Sequence, residues 1–184
     1  MIVEQIRVLK GDIKMAKMHS GLFHGTKGDR VYNGVSAKML ALKAFEYAKN
    51  IFENGSLKEK EKLNTVTVVY DEENDKYYYG MNHGIDLHNS FKNVILFGSG
   101  THDGILPNNT LNEFPLGNCA EVDAINNALN SGAKLEHLHM TTLDVKRKNI
   151  REGIIIGKRA CMNCTFAFKG KIKKNNTGWE EIVL

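Results

Sequence analysis

Three cysteines and one glutamate are the residues of this sequence whose types and spacing could do chemistry. Cys161 and Cys164 are three positions apart, and Cys119 lies upstream with Glu121 two residues after it. Three thiolates can hold a zinc ion and leave its fourth position open to water, as in catalytic rather than structural zinc sites. A nearby glutamate could carry protons to and from that water. The four residues therefore predict a zinc centre with an acid–base group.

Two helices must present these side chains. In the first turn of a helix, Cys161 and Cys164 share one face with Cβ atoms about 5–6 Å apart, close enough to bind one ion. Cys119 opens a second helix, so two helix N-termini would converge on the metal, and their dipoles would favour thiolates. Cys119 and Glu121 can reach one point only if both lie in a first turn, where side chains lean toward the N-terminus.

Each of these residues also has an ordinary structural explanation. Free cysteines are often small buried hydrophobic residues, and Cys-x-x-Cys is also a redox motif, although that leaves Cys119 unexplained. Asn118 is a good N-cap, and Glu121 three residues later could complete a capping box that serves only the helix. It is the joint pattern of three cysteines and a carboxylate that favours catalysis.

The elements that position the four residues follow from the hydrophobic pattern and the turn signals. At 184 residues, the chain has room for one domain of about 150 residues with a tail. A glycine-rich polar stretch predicts that residues 1–33 are a linker or junction segment and that residues 34–184 form the domain. The pattern predicts helices at 36–54, 119–130 and 161–168, and strands at 65–70, 77–81, 135–143 and 179–184. Residues 58–62 are expected to be a charged segment that leads into the hairpin, and residues 144–153 a turn or an insertion. Residues 85–117 are expected to be an irregular connection that could gate substrate access.

Charge and composition exclude little. The formal net charge of +4 allows an anionic partner without requiring one. The basic cluster within residues 146–159 is either a solvated face or part of a nucleic-acid groove. Charged residues interrupt residues 1–18, so neither an export signal nor a membrane-spanning segment is expected there.

Two motifs give the sequence a likeness to a known group of enzymes. Gly117-Asn-Cys-Ala-Glu121 opens the first core helix, and Cys161-Met-Asn-Cys164 opens the second. With the order helix, hairpin, motif helix, strand, motif helix, the chain resembles the zinc-dependent cytidine deaminase superfamily, whose signature is Cys or His, x, Glu, then Pro-Cys-x-x-Cys. Within it the chain is most similar to the YwqJ-like deaminases of bacterial polymorphic toxins. Ala160 stands where the wider superfamily usually has proline.

The resemblance implies an α/β fold, a cytidine deaminase-like three-layer sandwich in which helices flank a mixed sheet of about four to five strands. It implies that Cys119, Cys161 and Cys164 bind Zn²⁺. It also implies that Glu121 is the catalytic residue, which passes a proton from water to the departing ammonia.

Substrate contacts and biological context are implied in the same way. The backbone N–H of Ala120 would hold the carbonyl of the base, and Asn82 with His83 would contact the sugar or base, although Asn82-His83-Gly84 is also an ordinary turn sequence. The substrate would be a cytosine- or adenine-type base in a nucleoside, nucleotide or nucleic acid. The chain would be the C-terminal module of a secreted toxin, delivered to a target-cell cytoplasm and bound by a cognate immunity protein.

Two other classes of protein fit the same residues. In a non-catalytic zinc-stabilised binding module, the cysteines bind metal and Glu121 only caps its helix. In a metal-free globular domain, the three cysteines are buried packing residues. Zinc content distinguishes the metal-free domain from the other two classes of protein. Catalytic activity distinguishes the deaminase from the binding module.

Overall fold

A four-stranded mixed sheet with helices packed on both faces forms the centre of the computed structural model. The structure describes residues 35–100 and 104–182, so the predicted junction segment, residues 1–33, lies outside the described residues. Along the chain the strands are β1 (Thr65–Asp71), β2 (Lys76–Met81), β3 (Leu138–Asp144) and β4 (Lys174–Asn175). Their order in the sheet is β2-β1-β3-β4, in which β1 is antiparallel to both neighbours and β4 is parallel to β3. The predicted α/β class and the four-stranded mixed sheet are thus confirmed.

The elements follow one another in the predicted order, with additions. The structure contains α1 (Ala37–Asn54), α2 (Leu57–Lys62), β1 (Thr65–Asp71), β2 (Lys76–Met81), α3 (Gly84–Leu87), α4 (Val94–Phe97), α5 (Ala120–Asn130), β3 (Leu138–Asp144), α6 (Arg147–Glu152), α7 (Met162–Phe168) and β4 (Lys174–Asn175). A 3₁₀ turn, Leu135–His137, takes the first residues of the stretch predicted as the third strand.

Helix α1 confirms the long helix predicted before the hairpin. The Ser36 side chain accepts a hydrogen bond from the Met39 N–H at 3.1 Å, which caps the N-terminus, and Gly55 follows the last turn. Its apolar stripe packs on the face of the sheet formed by the even-numbered residues of β1. Among the residues that the structure describes, no helix combines the length and the apolar composition needed to cross a membrane.

Strand β1 is buried along its whole length because both of its faces are covered. Val66 and Val68 pack toward α1, and Val69 packs with Met140 of β3 under α5. On the face of the sheet that α5 covers, the inward-facing residues near the start of β1 are threonines rather than apolar residues. The hydroxyl groups of Thr67 and Thr142 are 2.9 Å apart and fully buried.

Helix α5 lies directly on the edge strand β2, and Gly80 makes this contact possible. A Cβ atom at Gly80 would lie 2.3 Å from the backbone N of Ala124 and 2.5 Å from the backbone O of Ala120. Two side chains of α5 also bind the backbone of β2. Asp123 Oδ2 accepts from the Met81 N–H at 2.9 Å, and Asn127 Nδ2 donates to the Tyr79 carbonyl at 2.9 Å. The start of α5, which carries Cys119 and Glu121, is therefore fixed against the sheet.

Two charged stretches form short helices that the sequence pattern did not predict. The run at residues 58–62 is α2, where Ser56 and Glu59 make a reciprocal capping box. The stretch at 144–153, predicted as a turn or insertion, contains α6, which ends at Gly153 in the left-handed conformation. Neither helix buries a residue, so neither has the apolar stripe on which a helix prediction depends.

The closing strand predicted at 179–184 is wrong for its described residues, 179–182. Trp179 makes only an isolated parallel bridge with Ala160, and the strand beside β3 is the earlier, two-residue β4. The Asn175 side chain ends β4 locally, since it accepts from the Thr177 N–H at 3.1 Å and donates to the Gly178 carbonyl at 2.6 Å. The last two residues of the predicted strand lie outside the described part of the chain.

Replacing Gly80 with alanine should separate α5 from β2. In an ordinary strand this change is neutral or stabilising, because glycine is a poor strand residue. Here the added methyl group would overlap backbone atoms of α5, which cannot rotate away as a side chain could. We therefore expect a loss of about 1–3 kcal/mol in the free energy of unfolding. Urea denaturation measures the change. The matched control is Lys76→Ala on the exposed end of β2, which should stay within about 0.5 kcal/mol. Equal stability of Gly80→Ala and the parent protein would contradict the close contact.

Candidate metal centre

Both motif cysteines that open a helix occupy its N-cap position. Cys119 precedes α5 and Cys161 precedes α7, each with an extended backbone. Their carbonyls accept the first helical bonds, from the Asp123 N–H at 3.2 Å and the Thr165 N–H at 2.7 Å. The predicted helix starts are confirmed to within one residue, and both thiols lie where the two helices begin.

The three cysteine sulfurs lie together. All three Sγ atoms are within 4.8 Å of one another, and those of Cys119 and Cys161 are 3.4 Å apart. Three thiolates around one zinc ion, each about 2.3 Å from it in tetrahedral geometry, would be about 3.8 Å apart. All three cysteines are free, and 3.4 Å far exceeds the length of a disulfide bond. The donor set and spacing therefore suit a metal ion, and no other such group occurs among the described residues.

Hydrogen bonds among the three thiols shift the pKa of each of them. Hydrogen bonds from Cys119 and then Cys164 lower the pKa of Cys161, so any negative charge settles there first. The hydrogen bond with Cys161 raises the pKa of Cys119, and the one with Cys119 raises that of Cys164, which is fully buried. A divalent cation would offset the repulsion that keeps the second and third thiols protonated.

Glu121 is the second residue of α5, and its side chain is only 4% exposed. The capping-box alternative is wrong, because the helix begins one residue later than that reading required. Cys119 rather than Asn118 is the N-cap, so Glu121 does not occupy the third position that such a box needs. Burial, and secondarily the negative charge on Cys161, raises the pKa of Glu121 to about 7. A carboxyl group with that pKa can both accept and release a proton near neutral pH.

The polar end of the sheet lies under Glu121. The positive charge of Lys158 and, after it, the hydroxyl of Thr142 both act to lower the pKa of Glu121. Lys158 is anchored nearby, since its Nζ donates to the Thr65 hydroxyl at 2.8 Å. The sequence analysis missed these residues. The available signal was a set of threonines facing inward on strands otherwise rich in valine and leucine.

Asn163, inside the Cys-x-x-Cys motif, joins α7 to the loop that precedes Cys119. Its side chain is buried, and its Oδ1 accepts from the Leu111 N–H at 2.7 Å. Its Nδ2 donates to Asn112 Oδ1 at 2.9 Å and lies 3.3 Å from the Phe114 carbonyl. The irregular connection is therefore attached to α7, the helix that begins after Cys161. We did not foresee this role, although an asparagine between two ligand cysteines was visible in the sequence.

A shallow pocket of about 160 Å³ opens between this loop and α4. Its lining includes Phe97, Leu106, Pro107 and Leu116. Phe97 also packs against the hydrophobic cluster that Cys119 and Cys161 border. The pocket is mainly apolar and lies beside the chain segment that leads into the metal centre.

The predicted substrate contacts are placed as follows. Asn82 Oδ1 accepts from the backbone N–H groups of Asn64 and Thr65, each at 3.0 Å, and its Nδ2 donates to the Lys62 carbonyl at 2.6 Å. These hydrogen bonds fit the interpretation of Asn82 as an ordinary turn residue. Its contact with substrate stays a prediction.

The other two predicted contacts lie beside the start of α5. His83 has a left-handed backbone, and its N–H donates to the Asn118 carbonyl at 2.8 Å. Ala120 is the first residue of α5 and is fully buried. First-turn N–H groups have no partner within the helix, so this one could serve a ligand. Both substrate contacts remain predictions.

The chain matches no protein-family model, no curated protein and no solved structure. The likeness to deaminases therefore depends on the two motifs and the order of the elements. What the structure adds is the convergence of three cysteines that could hold a metal ion.

The purified wild-type protein should contain about one zinc ion per chain, and Cys164→Ser should lose most of it. Serine removes one of three thiolates and leaves a hydroxyl that binds zinc poorly. Inductively coupled plasma mass spectrometry on protein prepared without chelator measures the content.

The control is Thr165→Ser, one residue along the same helix. It keeps the hydroxyl group that lies 3.2 Å from the Ala160 carbonyl. Zinc retained in Cys164→Ser at the wild-type level would show that the three sulfurs are not the ligands.

Proposed function

We propose that this chain is a zinc-dependent deaminase that hydrolyses the amino group of a cytosine- or adenine-type nucleobase. The observation that carries the proposal is the buried carboxyl group of Glu121 beside the three thiols. The charge of Glu121 raises the pKa of Cys119 and Cys164, and that of Cys161 raises the pKa of Glu121, yet no carboxylate oxygen belongs to the metal-binding group. Burying a carboxyl group without a matched cation is unfavourable, so a purely structural zinc site gains nothing from it.

The proposed roles follow from these positions. Cys119, Cys161 and Cys164 would hold Zn²⁺, which when bound supplies Lewis-acid activation of a water molecule. Glu121 takes a proton from the attacking water and delivers it to the departing amino group. The oxygen of water joins the ring carbon and the amino nitrogen leaves as ammonia, so that the base exchanges its amino group for a carbonyl.

The surroundings of Glu121 suit a proton carrier. The Thr142 hydroxyl lowers the pKa of Glu121, and the hydroxyl of Thr67 in turn contacts that of Thr142 at 2.9 Å. Glu121 is held by α5, whose contact with β2 leaves no room for a side chain at Gly80. A general acid–base group works best when its position is fixed before the substrate arrives.

The biological context is proposed from the resemblance alone. The chain would be the toxic module of a larger secreted protein that acts in a target cell, where an immunity protein covers the zinc centre. The net charge of +4 is compatible with a nucleic-acid substrate. The product of a neighbouring gene that binds the chain and blocks its activity would support this context, and failure to bind would contradict it.

A non-catalytic zinc-stabilised binding module is the second candidate. The observation that favours it is the burial of Cys164 and of Glu121, which is only 4% exposed, since burial limits the access of a substrate to both groups. The two candidates differ in what Glu121 is for, and a substitution at that position separates them.

Glu121→Gln should abolish deamination while leaving zinc content unchanged. Glutamine has the same shape but cannot take up a proton, so we expect a loss of about 10²–10⁴-fold in kcat. Mass spectrometry of cytosine and adenine nucleosides and of single-stranded DNA and RNA oligonucleotides would detect the exchange of an amino group for oxygen. The matched control is Glu61→Gln, which makes the same change at an exposed position of α2.

Three outcomes distinguish the candidates. Activity in wild type and Glu61→Gln but not in Glu121→Gln supports the deaminase. A zinc-containing wild type without activity on any of these substrates, together with a folded Glu121→Gln variant, supports the binding module. A wild type without zinc contradicts both.

A further inference from the structure

The chain segment that carries two of the three cysteines contains only positive charge. Residues 153–179 include six lysine and arginine residues, and all 21 aspartates and glutamates of the chain lie outside them. Since the whole chain has a formal net charge of +4, the rest of the chain is net negative. Positive charge concentrated around a candidate catalytic centre attracts anionic ligands to it.

The other basic stretch of the sequence, helix α6, belongs to a different surface. Its Ile150 packs against the hydrophobic cluster under α1, on the opposite face of the sheet from the cysteines. Its neighbour Lys146 and its own Lys148 lie 3.7 Å and 4.0 Å from carboxylate oxygens. Of the two interpretations that the sequence allowed for this stretch, the structure favours the solvated face.

Two lysines at the end of α7 have no carboxylate partner among the described residues. Lys169, the C-cap of the helix, and Lys171 are exposed, and neither forms an ion pair there. The nearby Lys173, by contrast, lies 3.4 Å from Glu72. The ammonium groups of Lys169 and Lys171 are therefore open to an anion from outside the described chain.

Two phenylalanines near the cysteines are half-exposed. Phe166 of α7 and Phe114 of the loop before Cys119 are each 48% exposed, whereas Phe168 of α7 is fully buried. Asn163 connects the two exposed residues, because its Nδ2 lies 3.3 Å from the Phe114 carbonyl and it precedes Phe166 by one helical turn. One side of α7 thus packs in the core and the other presents an aromatic ring to solvent.

Cysteine, phenylalanine and lysine follow one another along α7. At the rise of an α-helix, Phe166 lies about 8 Å and Lys169 about 12 Å beyond Cys161 along the axis. Exposed aromatic rings bind nucleobases by stacking, and lysine ammonium groups bind the phosphates between them. A paired base offers its edges rather than its faces, so stacking rings favour a strand without a partner.

We propose that the exposed side of α7, together with Phe114, binds single-stranded nucleic acid, so that the substrate of the metal centre is a base within a strand rather than a free nucleoside. Phe114 and Phe166 stack on bases next to the reacting one, and Lys169 and Lys171 contact the phosphates that follow. The inference rests on the proposed function, because it names the substrate class of the same site.

The first test measures strand binding directly. Fluorescence anisotropy of labelled single-stranded DNA and RNA oligonucleotides gives the affinity of the full-length protein without requiring activity. Phe114→Ala and Phe166→Ala should each weaken binding roughly 10–100-fold, since each removes the stacking of one base. The matched control is Phe91→Ala, which should bind like wild type. Phe91 is 73% exposed, but its carbonyl accepts from Asn126 and Asn130, toward the other end of α5.

The second test measures phosphate contacts through the salt dependence of binding. Lys169→Gln and Lys171→Gln should each make the slope of log affinity against log salt concentration shallower by about 0.7, the value for one phosphate contact on a single strand. The control is Lys38→Gln, an exposed position of α1 on the opposite face of the sheet.

A third variant should change affinity in the opposite direction. Glu113 is exposed, directly precedes Phe114 and is the only acidic residue within residues 104–120. Glu113→Gln removes an anion beside the proposed path, so it should tighten binding of both oligonucleotides. A misfolded variant would not bind more tightly, and this measurement therefore remains decisive if a phenylalanine variant does not fold.

Four results would overturn the inference. They are a wild type that binds neither oligonucleotide, a duplex bound as tightly as the single strands, phenylalanine variants that both bind like Phe91→Ala, and an unchanged affinity of Glu113→Gln. Self-association of the chain that Phe166→Ala abolishes, without strand binding, would assign the exposed ring to a contact between two copies instead. A preference for either single strand supports the inference and names the substrate as DNA or RNA.

Failure of the inference and failure of the proposed function give different results. Deamination of free nucleosides by a protein that binds no strand would leave the deaminase in place and overturn the strand-binding surface. Single-strand binding that depends on Phe114 and Phe166, without deamination of any strand, would support the surface and contradict the deaminase.

Discussion

The direct contact of helix α5 with strand β2 is the constraint on which the rest of the site depends. Helix and strand backbones touch at Gly80, where even a methyl group has no space, and two side chains of α5 bind the edge of the strand. The contact fixes where α5 begins. Since Cys119 is its N-cap and Glu121 lies in its first turn, this one contact places both a candidate metal ligand and the proposed acid–base group. The other two candidate ligands lie at the start of α7.

The sequence predicted the residues that act through local spacing. Cys161 and Cys164 are neighbours on any helix that begins at Cys161, and the start of α5 could be read from its apolar stripe. The sequence did not predict the contacts of Asn112 or Thr142, because these depend on which loop and which strand face meet the helices in three dimensions. The closing strand was predicted from an apolar run, yet the Asn175 side chain ends the pairing earlier by hydrogen-bonding to the backbone of Thr177 and Gly178.

The site combines groups that are unfavourable in isolation. Cys164 and Glu121 are buried and Cys119 and Cys161 half-buried at the junction of two helices, and their surroundings raise the pKa of Cys119, Cys164 and Glu121. Helix N-termini, the Thr142 hydroxyl and the charge of Lys158 offset part of this repulsion. The remainder would be removed by a bound cation. The three sulfurs, all within 4.8 Å of one another, already lie at a spacing close to that of a tetrahedral zinc site.

The sheet separates two hydrophobic clusters, one under α1 and one under α5 and α7. The cysteines lie in or against the second, and the first contains none of the four site residues. The packing under α1 and the four site residues therefore lie on opposite sides of one sheet. A substitution within the α1 cluster can change the stability of the fold without replacing any residue that packs beside the three cysteines.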